Sequence, residues 1–130
     1  MRIAIIEDDE ITRLELSKLL NTQGYETVLL IDFGNLTDEL KQYSIELVLL
    51  DINLPLFDGY YICREVRKAS AVPIIIVTSR DSETDELMSM NLGADDFITK
   101  PYNTQILLAH IASVLKRAYR SPEESAELSW

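Results

Sequence analysis

The chain has 130 residues, 47% hydrophobic and 26% charged, the composition of one soluble globular domain with room for one sizeable core. Its 12 Lys+Arg against 22 Asp+Glu leave a formal charge of −10, so by itself this stretch is a poor partner for nucleic acid or anionic lipid. One cysteine, Cys63, excludes an internal disulfide and a cysteine-built zinc site, and no apolar run nears membrane-spanning length. Met1-Arg2 leads directly into a strand pattern with no secretion leader, so a cytoplasmic location is expected.

The first apolar run, Ile3 to Ile6, reads as a strand. The acidic stretch Glu7, Asp8, Asp9, Glu10 follows it, ahead of a helix whose stripe Leu16, Leu19, Leu20 stops at Gly24. Thr27 to Ile31 gives a second strand, and Leu36, Leu40 and Tyr43 mark a short second helix. Leu47 to Leu50 is a continuous apolar run ending in Asp51, Ile52 and Asn53; Ile62 and Val66 mark the third helix. Gly59 reads as the residue that lets the intervening loop turn tightly, and Tyr60 and Tyr61 as cover for that helix and the turn before it. Pro73 opens a fourth strand, Ile74 to Val77, with Thr78 and Ser79 behind it. A fourth helix carries Leu87 and Met88, with Met88 and Met90 expected to pack in the ordinary way. The brief strand Phe97-Ile98 runs into Thr99, Lys100 and Pro101, and Ile111, Val114, Leu115 and Ala118 give a long fifth helix.

Two uninterrupted apolar strands imply cover on both faces. Five strands alternating with five helices predict a doubly wound α/β domain with a parallel sheet. The domain spans residues 1–119. Residues 120–130 lose the periodicity and read as the start of a linker, its end Leu128-Ser129-Trp130 being either a frayed tail or the approach to a second domain.

Open parallel sheets bind ligands beyond the carboxyl ends of their strands, where the strand order reverses. With strand order 2-1-3-4-5, the acidic stretch, Asp51, Thr78 and Lys100 share one pocket. Each has a plainer reading alone: a helix cap, a turn, a turn hydroxyl, a solvated charge. All four on one edge of the sheet outweigh those readings. Clustered carboxylates repel unless a proton or cation intervenes, and their oxygens suit a hard ion such as Mg²⁺. An Asp beside such an ion can attack phosphorus, while a lysine and a hydroxyl take the transferred oxygens. The assembly reads as a phosphorylation site.

The motifs Ile-Ile-Glu-Asp-Asp-Glu, Leu-Leu-Asp-Ile-Asn-Leu-Pro-Leu-Phe-Asp-Gly, Val-Thr-Ser and Gly-Ala-Asp-Asp-Phe-Ile-Thr-Lys-Pro-Tyr together resemble the response-regulator receiver domains of two-component signalling, a flavodoxin-like fold. The likeness runs from Met1 to about Tyr119. It implies that Asp51 is the phosphoacceptor, taking its phosphoryl group from a sensor histidine kinase. Glu7, Asp8, Asp51 and the Asn53 backbone carbonyl would hold Mg²⁺ (or Mn²⁺). Thr78 and Lys100 would contact the phosphoryl group, with Thr78 and Phe97 as the switch pair. A cis bond before Pro101 is also implied.

The final motif is similar to the winged-helix (OmpR/PhoB-type) subfamily, and Asp51 to Arg67 to regulators answering antibiotics and antimicrobial peptides. That implies transcription control and DNA contact through a C-terminal domain outside this chain. In that subfamily active homodimers pair through the fourth helix, fifth strand and fifth helix by cross-subunit ion pairs. Asp95, Asp96 and Arg117 match the pattern, whereas Glu86, Ile106 and His110 stand where a basic residue, Glu and Arg are usual. The usual pairs cannot all form, which leaves a more apolar, a pH-dependent or a weak interface, or a His110 with no task.

No enzyme activity is expected beyond gain and loss of the chain's own phosphoryl group. A phosphohydrolase would want a second Asp two residues after the nucleophile, and Asn53 has no proton to give there. A receiver working only as a phosphorylation-independent interaction module is the other alternative, although such proteins typically lose the acidic pair or the lysine. No Gly-x-Gly-x-x-Gly follows the first strand, which disfavours dinucleotide binding.

Overall fold

The computed structural model describes residues 1–30, 33–54 and 58–120. Five strands, β1 (Arg2–Ile6), β2 (Glu26–Leu29), β3 (Leu47–Leu50), β4 (Ile74–Thr78) and β5 (Asp96–Thr99), pair in parallel in the order β2-β1-β3-β4-β5. Between and after them run α1 (Glu10–Thr22), α2 (Leu36–Gln42), α3 (Gly59–Ala69), α4 (Glu83–Asn91) and α5 (Thr104–Tyr119). This is the predicted doubly wound topology. The expected linker from residue 121 onward lies outside the described residues.

Side chains alternate across a strand, so each apolar run feeds two cores at once. Ala4, Ile6, Val48, Leu50, Ile74 and Ile76 face α2 and α3, packing with Leu36, Leu40, Ile62, Cys63 and Val66. Ile3, Ile5, Leu47, Leu49, Ile75 and Val77 face the other way, onto Leu16 and Leu20 of α1 and Leu107, Ile111, Val114 and Leu115 of α5. That double cover is why β3 and β4 show no polar alternation. Cys63 is fully buried, and burial pushes its thiol up, as suits an inert packing residue.

Helix ends follow local chemistry. Asp9 caps α1 by accepting from the Thr12 N–H at 2.9 Å, and Gly24 beyond its end takes φ +88°. Tyr43 lies outside α2 as its C-cap and is exposed. In α4 the expected packing fails: Leu87, Met88 and Met90 are exposed, and the buried residue is Ser89, whose Oγ donates to the Asp85 carbonyl at 2.8 Å. The helix meets its neighbours through a small polar side chain that can satisfy its own hydroxyl, and its larger apolar residues face outward.

Gly59 also differs from expectation. It needs no left-handed turn; it opens α3, where a Cβ would lie 2.2 Å from Ile52 Cα. The close approach brings α3 against the segment that follows Asp51. Gly59→Ala should therefore lower the unfolding free energy by more than ~2 kcal/mol in urea denaturation. Gly24→Ala, with nothing within 4 Å of the added carbon, should lose only about 1–2 kcal/mol for its backbone. Equal losses would contradict the steric account.

Candidate functional site

Register assembles the site. Ile6 lies beside Leu50 and Leu50 beside Ile76, so the next residues, Glu7, Asp51 and then Thr78, leave neighbouring strands close to one level. Thr78 pairs with Thr99, which sets Lys100 alongside them, and the Lys100 N–H donates to the Thr78 carbonyl at 2.8 Å. Glu7, Asp51 and Thr78 are buried, at 4%, 7% and 0% exposure. The Lys100 ammonium donates to Asp51 Oδ2 at 3.1 Å and also to Glu7 Oε1. The Asn53 N–H donates to Asp51 Oδ1 at 2.8 Å. Carboxylate oxygens of Glu7, Asp8 and Asp51 all lie within 4.8 Å of one another. The Lys100–Pro101 bond is cis.

The acidic stretch divides its labour. Glu7 is buried, Asp8 is exposed at the pocket, and Asp9 turns away to cap α1. The helix-cap reading is thus right for Asp9 and wrong for its two predecessors. Sequence could not separate them, because the split depends on where β1 ends relative to β3.

Charge is unevenly settled. Burial pushes Glu7 up to about 7; its bond to Lys100 opposes this and the Asp51 anion adds to it. Burial also raises Asp51, but the Asn53 N–H, the Thr78 hydroxyl, Glu7 and Lys100 outweigh it and hold that carboxyl below its usual range. Lys100 loses charge preference to burial and regains more from its two carboxylate partners, so it stays protonated. Two carboxylates, one ammonium and an exposed third carboxylate therefore carry an excess negative charge that a proton on Glu7 relieves. A hard divalent cation can replace that proton, and the all-oxygen donor set suits one.

Phe97 is half-buried against the core on the α2 and α3 side of the sheet. Asp96 meets His110 of α5, Oδ2 to Nδ1 at 2.5 Å, so His110 does have a partner within the chain. Asp95 is engaged from α3: Arg67 Nη2 reaches its Oδ2 at 3.0 Å, and the Ile74 N–H donates to the same oxygen at 2.8 Å. Arg67 also donates to the carbonyls of Gly93 and Val72, at 2.8 and 2.9 Å. Sequence reasoning missed this role; the only signal was a basic residue in the last turn of α3. Glu86, Ile106 and Arg117 are exposed.

The family described as the response regulator receiver domain matches residues 3–112. The chain belongs to this family. It is 40% identical over 131 aligned residues to the response regulator GraR of Staphylococcus aureus, covering all of this chain and 58% of GraR, so it spans a little over half the length of such curated relatives. The beryllofluoride-activated receiver domain of Klebsiella pneumoniae RstA is 30% identical with a TM-score of 0.85, over 89% of this chain and 99% of that one. The N-terminal domain of the nisin resistance regulator NsrR is 36% identical with a TM-score of 0.76, over 88% and 97%. The chain is a receiver domain of a two-component response regulator, a class in which a sensor kinase partner is expected. No helix among the described residues is long and apolar enough to cross a membrane.

The raised Glu7 carboxyl fixes the sign of a pH effect. From 4.5 to about 7 the unfolded receiver has released this proton and the folded one has not. The associated stability is complete below that window and lost above it. In EDTA, Glu7→Gln should unfold at higher urea than wild type at about pH 8, by ~1–3 kcal/mol, with the gap closing by about pH 5. A variant less stable than wild type at the higher pH would reverse this electrostatic account.

Proposed function

We propose that Asp51 accepts a phosphoryl group from a partner histidine kinase. The observation that supports this best is the pair of bonds on its carboxylate, Asn53 N–H on Oδ1 and Lys100 on Oδ2, at the mouth of the acidic cluster. Its depressed pKa keeps it anionic and nucleophilic. An Asp51 oxygen forms a bond to phosphorus as the bond from phosphorus to the donor imidazole nitrogen breaks, its electron pair staying on that nitrogen. Lys100 balances the oxygens of the transferred group, and the Thr78 hydroxyl donates to another of them.

The carboxylates of Glu7, Asp8 and Asp51, with the Asn53 carbonyl, would hold Mg²⁺ (or Mn²⁺). That ion, when bound, supplies positive charge to the transferring oxygens. Asn53 offers no proton to a leaving group, which favours accepting and holding a phosphoryl group over hydrolysing phosphate esters.

The signal leaves through Thr78 and Phe97. Movement of the Thr78 hydroxyl toward the phosphoryl group opens space for Phe97 to turn, shifting the face of α4, β5 and α5. Moving a two-state balance from 1:99 to 99:1 takes about 5.5 kcal/mol, within reach of a few charge-assisted hydrogen bonds. That face, with Glu86, Asp95, Asp96, Ile106, His110 and Arg117, would then pair with a second copy. In the full-length cytoplasmic protein, residues from 120 onward would link to a DNA-binding domain that controls transcription.

Mass in solution tests acceptor and output together. With Mg²⁺ and beryllofluoride the wild-type chain should approach dimer mass, whereas Asp51→Asn should stay monomeric, keep its circular dichroism spectrum and take no label from acetyl phosphate. Persistent labelling of that variant would move the acceptor elsewhere.

A further inference from the structure

The acidic stretch after β1 is fixed at both ends by the first turn of α1. Asp9 Oδ2 accepts from the Thr12 N–H at 2.9 Å and from the Thr12 hydroxyl at 2.5 Å. The Asp9 carbonyl accepts from the Arg13 N–H at 2.9 Å. The Arg13 side chain then reaches back, and its Nη1 donates to the Glu7 carbonyl at 3.0 Å. One residue thus holds both ends, by its backbone at Asp9 and by its guanidinium at Glu7.

Sheet pairing does not supply that second bond. The Ile5 and Ile6 carbonyls accept from the Leu30 and Asp51 N–H groups, at 3.1 and 3.0 Å, whereas Glu7 lies one residue beyond β1. Its carbonyl falls past the end of the ladder, where the half-buried Arg13 takes it up. Lys100 serves the carboxylates of Glu7 and Asp51, and Arg13 serves the backbone that carries them.

Asp8 lies between the two anchors. It is exposed, yet its carboxylate comes within 4.8 Å of those of buried Glu7 and Asp51. Little packing fixes an exposed side chain, so the place of its backbone decides whether it reaches the cluster. The Glu7 carbonyl belongs to the Glu7–Asp8 peptide, a rigid plane that ends on the Asp8 Cα. Holding that oxygen holds the plane, and with it the root of the Asp8 side chain.

We propose that Arg13 is a positioning residue for the cation site: by clamping the Glu7–Asp8 peptide it keeps the Asp8 carboxylate beside those of Glu7 and Asp51. This rests on the reading of those carboxylates as the Mg²⁺ site. The clamp acts against its own charge. A guanidinium near clustered carboxylates disfavours an incoming cation, so charge alone predicts tighter Mg²⁺ binding once it is removed. Loss of a group that orients metal ligands predicts weaker binding. The two accounts differ in sign.

Calorimetric titration of the whole chain with Mg²⁺ decides between them. Arg13→Gln should weaken binding about tenfold, the lower end for groups that orient metal ligands. Thr12→Val loosens the Asp9 anchor without changing charge and should weaken it about two- to threefold. In an Asp8→Asn background, adding Arg13→Gln should lose nothing further. At saturating Mg²⁺, Arg13→Gln should bind beryllofluoride within about twofold of wild type, whereas general damage to the pocket lowers both affinities. Mg²⁺ binding that is unchanged or tighter in Arg13→Gln overturns the clamp alone. So does a full loss that persists beside Asp8→Asn, or a beryllofluoride affinity that falls in step. If Arg13→Gln does not fold, unchanged Mg²⁺ binding by Thr12→Val overturns it. A wild-type chain indifferent to Mg²⁺ removes the cation site, and the clamp with it.

Discussion

The parallel register of β1 and β3 forces two carboxylates into one buried place. Ile6 beside Leu50 makes Glu7 and Asp51 neighbours, both largely buried where the apolar strands end. One ammonium, that of Lys100, cannot neutralise both together with Asp8. The fold therefore holds a local charge imbalance, relieved by a proton on the deeper acid. Burial that destabilises an anion in the free protein makes the same position receptive to cations and to a group that brings its own counter-charge.

Stability is distributed to match. β1, β3 and β4 feed both cores, and α1, α2, α3 and α5 each bury two or more apolar side chains. In α4 the buried residue is Ser89, with Leu87, Met88 and Met90 left in solvent. Weakly packed elements are the ones that respond to small free-energy changes. The helix beside Thr78 is thus fastened mainly by polar contacts, such as those of Asp85, which a change at the site can reach.

Much of this was legible in the sequence. Continuous apolar runs in β3 and β4 marked the central strands, and the rule that ligands meet strand ends picked out the stretch Glu7 to Glu10, Asp51, Thr78 and Lys100, the family resemblance narrowing the acids to Glu7 and Asp8. What stayed hidden depended on distance. Asp9 resembles Asp8 until the end of β1 is fixed. Met88 and Met90 look like core residues until the rotation of α4 shows Ser89 inward. Gly59 suggests a turn, yet its constraint is the backbone of Ile52. Asp95 also has a partner the sequence did not show, Arg67 of the same chain. Each of these depends on how elements are placed in three dimensions, which local sequence pattern does not carry.

Arg67 has a mechanical consequence. By gripping the carbonyls of Gly93 and Val72 together with Asp95, it staples the far pole of the sheet, where α4 has just ended and β4 and β5 begin. The trailing end of α4 is moored while its leading end sits over the pocket. A displacement beside Thr78 would then act on the leading end of α4, and so on the exposed stretch carrying Leu87 and Met90.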